Sequence, residues 1–433
     1  MAMPVRFGTD GIRGRAYEEI TFDLAYRLGR AVASVFSVPV FVGYDTRISS
    51  PQLARAVLAG LREGGAEAVN LGFFTTPGVA VIAQQRGGAG IVVSASHNPY
   101  YDNGLKVLGV GGAKLDHATE DAVTVALNSA AAPSRDDFDE VVIDSSAEHD
   151  YAAHLRELVP GDISSLYVVL DCANGAASHV AHELFEGTGA RVTTLHDQPN
   201  GRNINEHCGS TDVTDLRTKV VELGADLGLA FDGDADRLIA VDHEGHVRDG
   251  DDMMVLLALD FVERRVRDAG LVVTTMSNLG LHRALADSGV AIVETDVGDR
   301  NVLMALEERS WSFGGEQSGH LIFRDLAPTG DGLLTGLILC DLVARRGALA
   351  SQAAAAWHRV PQELINIDRA SFDEEAVHTL FKELLEQYGV VDREARLLVR
   401  PSGTEPVVRV MIEALNGDFV TEFTARLRSY FSA

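Results

Sequence analysis

The segment Asp232-Gly233-Asp234-Ala235-Asp236-Arg237 places three carboxylates at alternate positions of a tight loop, where they can converge on one hard cation. Magnesium is the natural ion. An EF-hand calcium loop is excluded, because Arg237 stands where that loop needs Gly and His243 where it needs a bidentate Glu. Ser94-Ala95-Ser96-His97-Asn98-Pro99 offers two hydroxyls in a loop whose local donors suit a phosphate. Residues two apart on a strand point the same way, so Ser94 and Ser96 are both candidates. No Gly-x-Ser-x-Gly elbow surrounds them, which disfavours acyl transfer. Phe7-Gly8-Thr9-Asp10-Gly11-Ile12-Arg13-Gly14 adds glycines for close backbone approach and an arginine for a phosphate, without the Gly-Lys-Ser/Thr ending of a P-loop. Arg400-Pro401-Ser402-Gly403-Thr404-Glu405-Pro406, with Arg409 beyond, combines guanidinium groups, hydroxyls and flexible backbone in a phosphate-cradle composition. Gly314-Gly315-Glu316-Gln317-Ser318-Gly319-His320 carries a carboxylate, an amide and a hydroxyl suited to the neighbouring hydroxyls of a sugar.

Each motif follows an apolar run with strand character. Gly90 to Val93 precedes the Ser96 loop, Leu227 to Ala230 precedes Asp232, and Trp311 to Phe313 precedes Gly314. Further strands are expected at Pro39 to Tyr44, delivering Asp45-Thr46-Arg47, at Tyr167 to Leu170 and at Leu271 to Val273. Between them lie helical patterns. Thr21 caps a segment with Leu24, Leu28, Val32 and Val35 on one face, and a second helix runs from Ser50-Pro51 to Gly64. The alternation predicts an α/β protein of three similar domains with mixed sheets, plus a smaller α+β C-terminal domain, around a central cleft. The tail contains a helix over Asp373 to Tyr388 and a strand pair flanking the Arg400 loop. Expected limits are 1–149, 150–252, 253–362 and 363–433, with a strand-poor turn around Asp249 to Asp252. Ligands of open α/β sheets gather beyond the carboxyl ends of strands, so the polar loops are expected to share the cleft.

With 433 residues, 46% hydrophobic and 23% charged, the chain can bury several cores. The formal net charge of −26 argues against a nucleic-acid or anionic-membrane partner. An anionic substrate must therefore be gathered by a few local cations against the global field. Cys172, Cys208 and Cys340 are odd in number and far apart, without the pair spacing of a zinc or redox site, which suits a reducing cytoplasm. The N-terminal Met-Ala-Met-Pro-Val-Arg has no apolar h-region, and no stretch reaches the ~20 apolar residues of a membrane span.

Taken together and in this order, the motifs closely resemble the α-D-phosphohexomutase family, over nearly the whole chain. Glu316-Gln317, Asn203-Ile204-Asn205 leading to Cys208-Gly209-Ser210-Thr211, and Gly298-Asp299-Arg300 are similar to its glucosamine branch more than to its mannose/glucose branch. The resemblance implies that Ser96 is the phosphoserine, and that Asp232, Asp234 and Asp236 hold one magnesium ion with the serine phosphate. It implies that Arg237 contacts that phosphate, with Arg13 beside it. Glu316 and Ser318, with His320 and Arg300, correspond to sugar contacts, and Arg400, Ser402, Gly403, Thr404 and Arg409 to the loop holding the phosphate that stays in place. Lys106 and His97 resemble the groups considered for proton transfer; as a base, Lys106 needs a lowered pKa. The activity implied is interconversion of glucosamine 6-phosphate and glucosamine 1-phosphate through a 1,6-bisphosphate, with a hexosamine 1,6-bisphosphate as primer, feeding UDP-N-acetylglucosamine and cell-wall synthesis. The partner is a small sugar phosphate. A homodimer, and loading of Ser96 by the bisphosphate or by a kinase, are compatible with it. Phe73-Phe74-Thr75-Thr76-Pro77 departs from the family's usual loop and is expected to touch no catalytic motif, and Val107 to Gly112 is unusually apolar and glycine-rich.

Phosphomannomutase or phosphoglucomutase activity is the nearest alternative. A phosphatase with a phosphoserine intermediate usually needs a second metal, and no second carboxylate or histidine cluster is evident in the sequence.

Overall fold

Short β-branched runs bounded by glycine and polar turns form the strands, and amphipathic segments between them form the helices. The computed structural model describes residues 7, 11–134, 138–159, 161–265, 270–286, 288–391, 394–401 and 406–431. The first sheet contains β1 (Ile12–Arg15), β2 (Val40–Tyr44), β3 (Ala68–Phe73), β4 (Ala89–Val93) and β5 (Asp102–Leu108), in the order β1-β5-β4-β2-β3. The second contains β6 (Tyr167–Asp171), β7 (Arg191–Leu195), β8 (Leu227–Phe231), β9 (Leu238–Asp242) and β10 (Val247–Arg248), in the order β10-β9-β8-β6-β7. The third, β11 (Gly270–Thr274), β12 (Ala291–Thr295), β13 (Phe313–Gly315) and β14 (Leu321–Phe323), runs β12-β11-β13-β14. The fourth is an antiparallel sheet of β15 (Gln362–Asp368), β16 (Ala395–Pro401) and β17 (Val407–Ala414), ordered β15-β17-β16. The fold is the expected one: three α/β domains with mixed sheets and a smaller fourth.

One detail of topology positions the chemistry. In each of the first three sheets a strand paired in parallel on one side is followed directly in sequence by an antiparallel partner on its other side: β4 by β5, β8 by β9 and β13 by β14. The three hairpin loops are residues 94–101, 232–237 and 316–320, the Ser96, Asp232 and Glu316 motifs. β16 and β17 also pair antiparallel, and Arg400 stands near the end of β16.

Local signals read in the sequence are realised. Thr21 Oγ1 accepts from Leu24 N at 3.1 Å, and helices occupy Phe22–Val35, Ser50–Glu63 and Glu374–Tyr388, the last capped by Asp373. The expected limits at 149/150 and 252/253 both fall inside helices, Ser146–Leu158 and Gly250–Arg264. Asp249 to Asp252 is not a free turn. Asp249 accepts the amides of Asp251 and Asp252 while the Asp252 side chain accepts from Asp249 N, a capping box that starts the helix.

A large apolar core runs from helix Thr76–Gln85 through the second and third sheets, whereas the fourth domain packs a separate core around Val410, Ile412, Phe419 and Phe423. Helix Gly332–Arg346 crosses the large core, and its N-cap Asp331 accepts from Leu334 N (3.0 Å) and Tyr151 Oη (2.7 Å). Burial pushes the Asp331 carboxyl up to about 6, against the pull of those donors. Its neutral form is the favoured one in the fold, so this contribution is complete below the ordinary Asp range and is lost as pH rises to about 6. Asp331→Asn keeps the cap and removes the titration. Urea unfolding is expected to show the variant gaining on the wild type by on the order of 3 kcal/mol between pH 4 and 7.

Candidate active site

The Ser96 and Asp232 hairpins meet across the seam between the first and second domains. Ser96 is 1% exposed and holds a left-handed backbone, φ 54°. Its Oγ donates to Asp232 Oδ2 at 2.6 Å and lies 3.3 Å from His97 Nδ1. Ser94 Oγ instead donates to Asp45 Oδ2 (2.6 Å) and accepts from Ser96 N (3.0 Å), so it braces the loop while Ser96 faces the carboxylates. The geometry thus separates two serines that spacing alone leaves equivalent.

Asp232, Asp234 and Asp236 are buried, with ligand oxygens within 4.8 Å of one another. Asp232 Oδ1 accepts from Arg237 N at 3.2 Å, and Asp234 Oδ2 takes the Lys106 Nζ (2.5 Å) and the Thr76 hydroxyl. Lys106 Nζ is also 3.5 Å from Asp236 Oδ2. Oδ1 of Asp234 and Oδ1 of Asp236 are buried without a hydrogen-bond donor. Three buried carboxylates, two of them with an oxygen to spare, beside a serine hydroxyl fit a divalent cation that takes oxygen ligands. The cluster does not titrate uniformly. Burial, Asp236 and Asp234 push Asp232 well up. For Asp236 burial is more than offset by Lys106, His320 and Arg237, and the carboxyl is held well below its usual range.

Around this cluster stand the cations. Burial would lower the Lys106 ammonium, but Asp234 and Asp236 reverse that and hold it above the ordinary lysine range, opposite to what a base requires. His97 is pushed down to about 4 by burial and by Arg237 and Arg13, leaving a neutral imidazole. Arg237 Nε is 3.8 Å from Asp236 Oδ1, and Arg13 sits on β1 opposite Gly104 of β5. His320, from the third hairpin, lies between Asp236 and Asp299 at 3.8 Å from each, and Lys114 Nζ closes on Asp299 at 2.5 Å. Glu316 Oε1 accepts from Gly298 N at 3.0 Å, while Ser318 Oγ approaches Glu316 Oε2 at 3.5 Å.

The fourth domain supplies Arg400 and Arg409, directly opposite each other on β16 and β17. Burial, then the Arg409 charge, lower the Arg400 guanidinium, while Glu316 and Asp296 oppose them. Ser402, Gly403 and Thr404 lie outside the described residues. Arg300 is 7% exposed and bonded to both carboxylate oxygens of Glu120 and to the Leu115 carbonyl, which ties the third domain to the first.

Several participants escaped the sequence reading. Arg47 is fully buried; it pairs with Asp45 (2.8 Å) and donates to the carbonyls of Ser96 (2.9 Å), Asn98 (2.8 Å), Pro99 and Asp102 (3.2 Å). Its signal was a polar loop directly after an apolar strand. Thr76, in the loop expected to touch no catalytic motif, caps Asp234. A second group, Asp171, His196 and Cys208, also converges. Asp171 accepts the amides of Ala173 (2.9 Å) and Gly209 (3.0 Å) and faces His196 Nδ1 at 3.1 Å, fastening strand-end loops; a thiol is no ligand for magnesium.

The family models for the phosphoglucomutase/phosphomannomutase α/β/α domains I, II and III and the C-terminal domain match residues 4–133, 149–245, 249–360 and 364–429. A phosphoglucosamine mutase of Exiguobacterium is 44% identical over 427 residues, covering 94% of each chain. In fold, the chain is similar to a putative phosphomannomutase from Thermus thermophilus (TM-score 0.81, 21% identity, all of both chains). It is also similar to the Aspergillus fumigatus N-acetylphosphoglucosamine mutase in complex with GlcNAc-6P and magnesium (TM-score 0.70, 18% identity, 98% and 95% covered). Four domain matches in order over almost the entire sequence place the chain in the α-D-phosphohexomutase family, most like its phosphoglucosamine mutases.

Proposed function

We propose that the protein is a phosphoglucosamine mutase, an isomerase that moves a phosphoryl group between O6 and O1 of glucosamine phosphate by way of Ser96. The observation that carries this reading is the Ser96 hydroxyl bonded to Asp232 in a cluster of three buried carboxylates, two of which have an oxygen to spare. Phospho-Ser96 gives its phosphoryl to the free hydroxyl of glucosamine 6-phosphate, and the resulting 1,6-bisphosphate turns over and returns its other phosphoryl to the serine. The same bisphosphate serves as primer.

Asp232, Asp234 and Asp236, with the serine phosphate, are the residues to hold one magnesium ion, which when bound neutralises charge on the transferring oxygens. Lys106, a donor-only ammonium, and the guanidinium groups of Arg13 and Arg237 stabilise those oxygens from the chain's side. His97, whose ring nitrogen stands beside Ser96 Oγ, is the proton acceptor. Glu316 and Ser318 read the sugar hydroxyls, and the Arg400–Arg409 pair with its loop holds the distal phosphate. Domain limits are best set before helix Ser146–Leu158, at the Asp249 cap and at β15. Among the described residues no helix is long and apolar enough to cross a membrane, and the three cysteines are buried and unpaired, which supports a cytoplasmic enzyme.

A panel of glucosamine, glucose and mannose 6-phosphates, each with magnesium and its bisphosphate, tests the assignment. Glucosamine 6-phosphate is expected to give kcat/KM at least roughly tenfold above the other two. Preference for glucose or mannose phosphate overturns the glucosamine assignment.

A further inference from the structure

The loop that carries Ser96 is held from two domains at once. Ser96 has φ 54°, a conformation that costs a non-glycine residue energy unless its surroundings impose it. Each of the Ser96 and Asn98 carbonyls receives two donors, one from each side of the domain seam. From the first domain, Arg47 Nη2 reaches them at 2.9 and 2.8 Å. From the second, Asn205 Nδ2 reaches the same two oxygens at 2.9 and 3.1 Å. A carbonyl oxygen has two lone pairs, so both are filled.

Asn205 suits this task. Its own φ is 57°, a left-handed backbone that asparagine tolerates better than most residues, and its main-chain amide is fastened to Ala173 O at 2.9 Å. The space is cut to fit: a Cβ on Gly233 would stand 2.6 Å from Ser96 O and 2.9 Å from Asn205 Nδ2. Gly233 lies between Asp232 and Asp234, so the amide, the carboxylate loop and the serine carbonyl meet at one point.

We propose that Asn205 is a positioning residue for Ser96, keeping the serine in register with the carboxylates of its own domain in both phosphorylation states. The inference rests on the reading of Ser96 as the phosphate carrier. The direct link between the loops, Ser96 Oγ to Asp232, uses the hydroxyl proton and is lost when the oxygen carries phosphate. The Asn205 bonds use only backbone carbonyls and survive phosphorylation. Asn205 therefore maintains alignment in the half-reaction where the direct bond is missing.

Two variants test this in the full-length enzyme with magnesium and primer. Asn205→Gly relaxes the backbone and removes the donor; Asn205→Asp keeps shape and left-handed tolerance but cannot donate. Both are expected to lower kcat roughly 10- to 100-fold, the cost of a reacting atom displaced by about 1 Å, with KM for sugar phosphate within about threefold of wild type. Hydrogen exchange at the amides of residues 96–98 should speed up, while unfolding stays cooperative. Wild-type kcat in both variants, with phosphate present on wild-type Ser96 by mass spectrometry, overturns the positioning role and leaves the carrier reading standing. Absence of phosphate from wild-type Ser96 overturns both. A lower unfolding temperature with unchanged kcat assigns Asn205 to stability and also overturns the proposal.

Discussion

Ser96→Ala is expected to reduce mutase turnover on the order of 10⁴-fold or more, the scale seen when a nucleophile that acts as part of a unit is deleted. The variant loses the oxygen proposed to carry the phosphoryl group and leaves Asp232 Oδ2 without its 2.6 Å donor. Substrate affinity should be nearly unchanged by calorimetry, since the proposed sugar and distal-phosphate contacts come from the third and fourth domains. Intact-mass spectra of the wild type incubated with bisphosphate should gain one phosphoryl mass, mapped to Ser96, and the variant none. Ser94→Ala is the informative companion. Its hydroxyl supports Asp45 and the Ser96 amide, so it should retain phosphorylation with turnover reduced only about tenfold. Normal activity in Ser96→Ala, or phosphate on Ser94, would dismantle the mechanism.

The second large effect belongs to Arg47. Arg47→Met leaves the fully buried Asp45 without its counter-charge and removes a donor from four carbonyls of the serine loop, of which those of Ser96 and Asn98 keep only Asn205. Removing one partner of a buried pair costs about 3–5 kcal/mol of stability, readable by urea unfolding. In the fraction that remains folded, kcat should fall roughly 100-fold as the loop drifts. Arg47→Lys separates the two consequences. It restores a charge beside Asp45 but lacks the planar fork, so stability should recover in part while most of the kcat loss persists. Equal recovery of both would show that charge alone suffices.

The placing of the polar loops was legible in the sequence because it is local. Asp232 to Arg237 and Ser94 to Pro99 each sit immediately after a short apolar strand, and strand followed by polar turn is written in consecutive residues. What was illegible depends on partners far along the chain. Arg300 has the look of a sugar contact, and only folding brings Glu120, 180 residues earlier, against it. Arg47 looks like the end of a strand until its guanidinium meets carbonyls about fifty residues on. The protonation of Lys106 follows the same rule, since Asp234 comes from another domain. The helix start at Asp249 is a different case. The capping-box spacing is present in the sequence, but three acids and a glycine in four residues resemble a solvated turn as much as a helix start.

The three hairpins that follow β4, β8 and β13 are one turn at one address, used three times. On the proposed mechanism the three turns divide the labour: the first carries the phosphoryl group, the second holds the metal and the third reads the sugar. The supporting sheet need not change as the turn diverges. No single copy holds a working site, so activity appears only when the copies face one another, and selection acts on their mutual alignment. On that mechanism a change of substrate needs the third turn rewritten while the first two keep their chemistry.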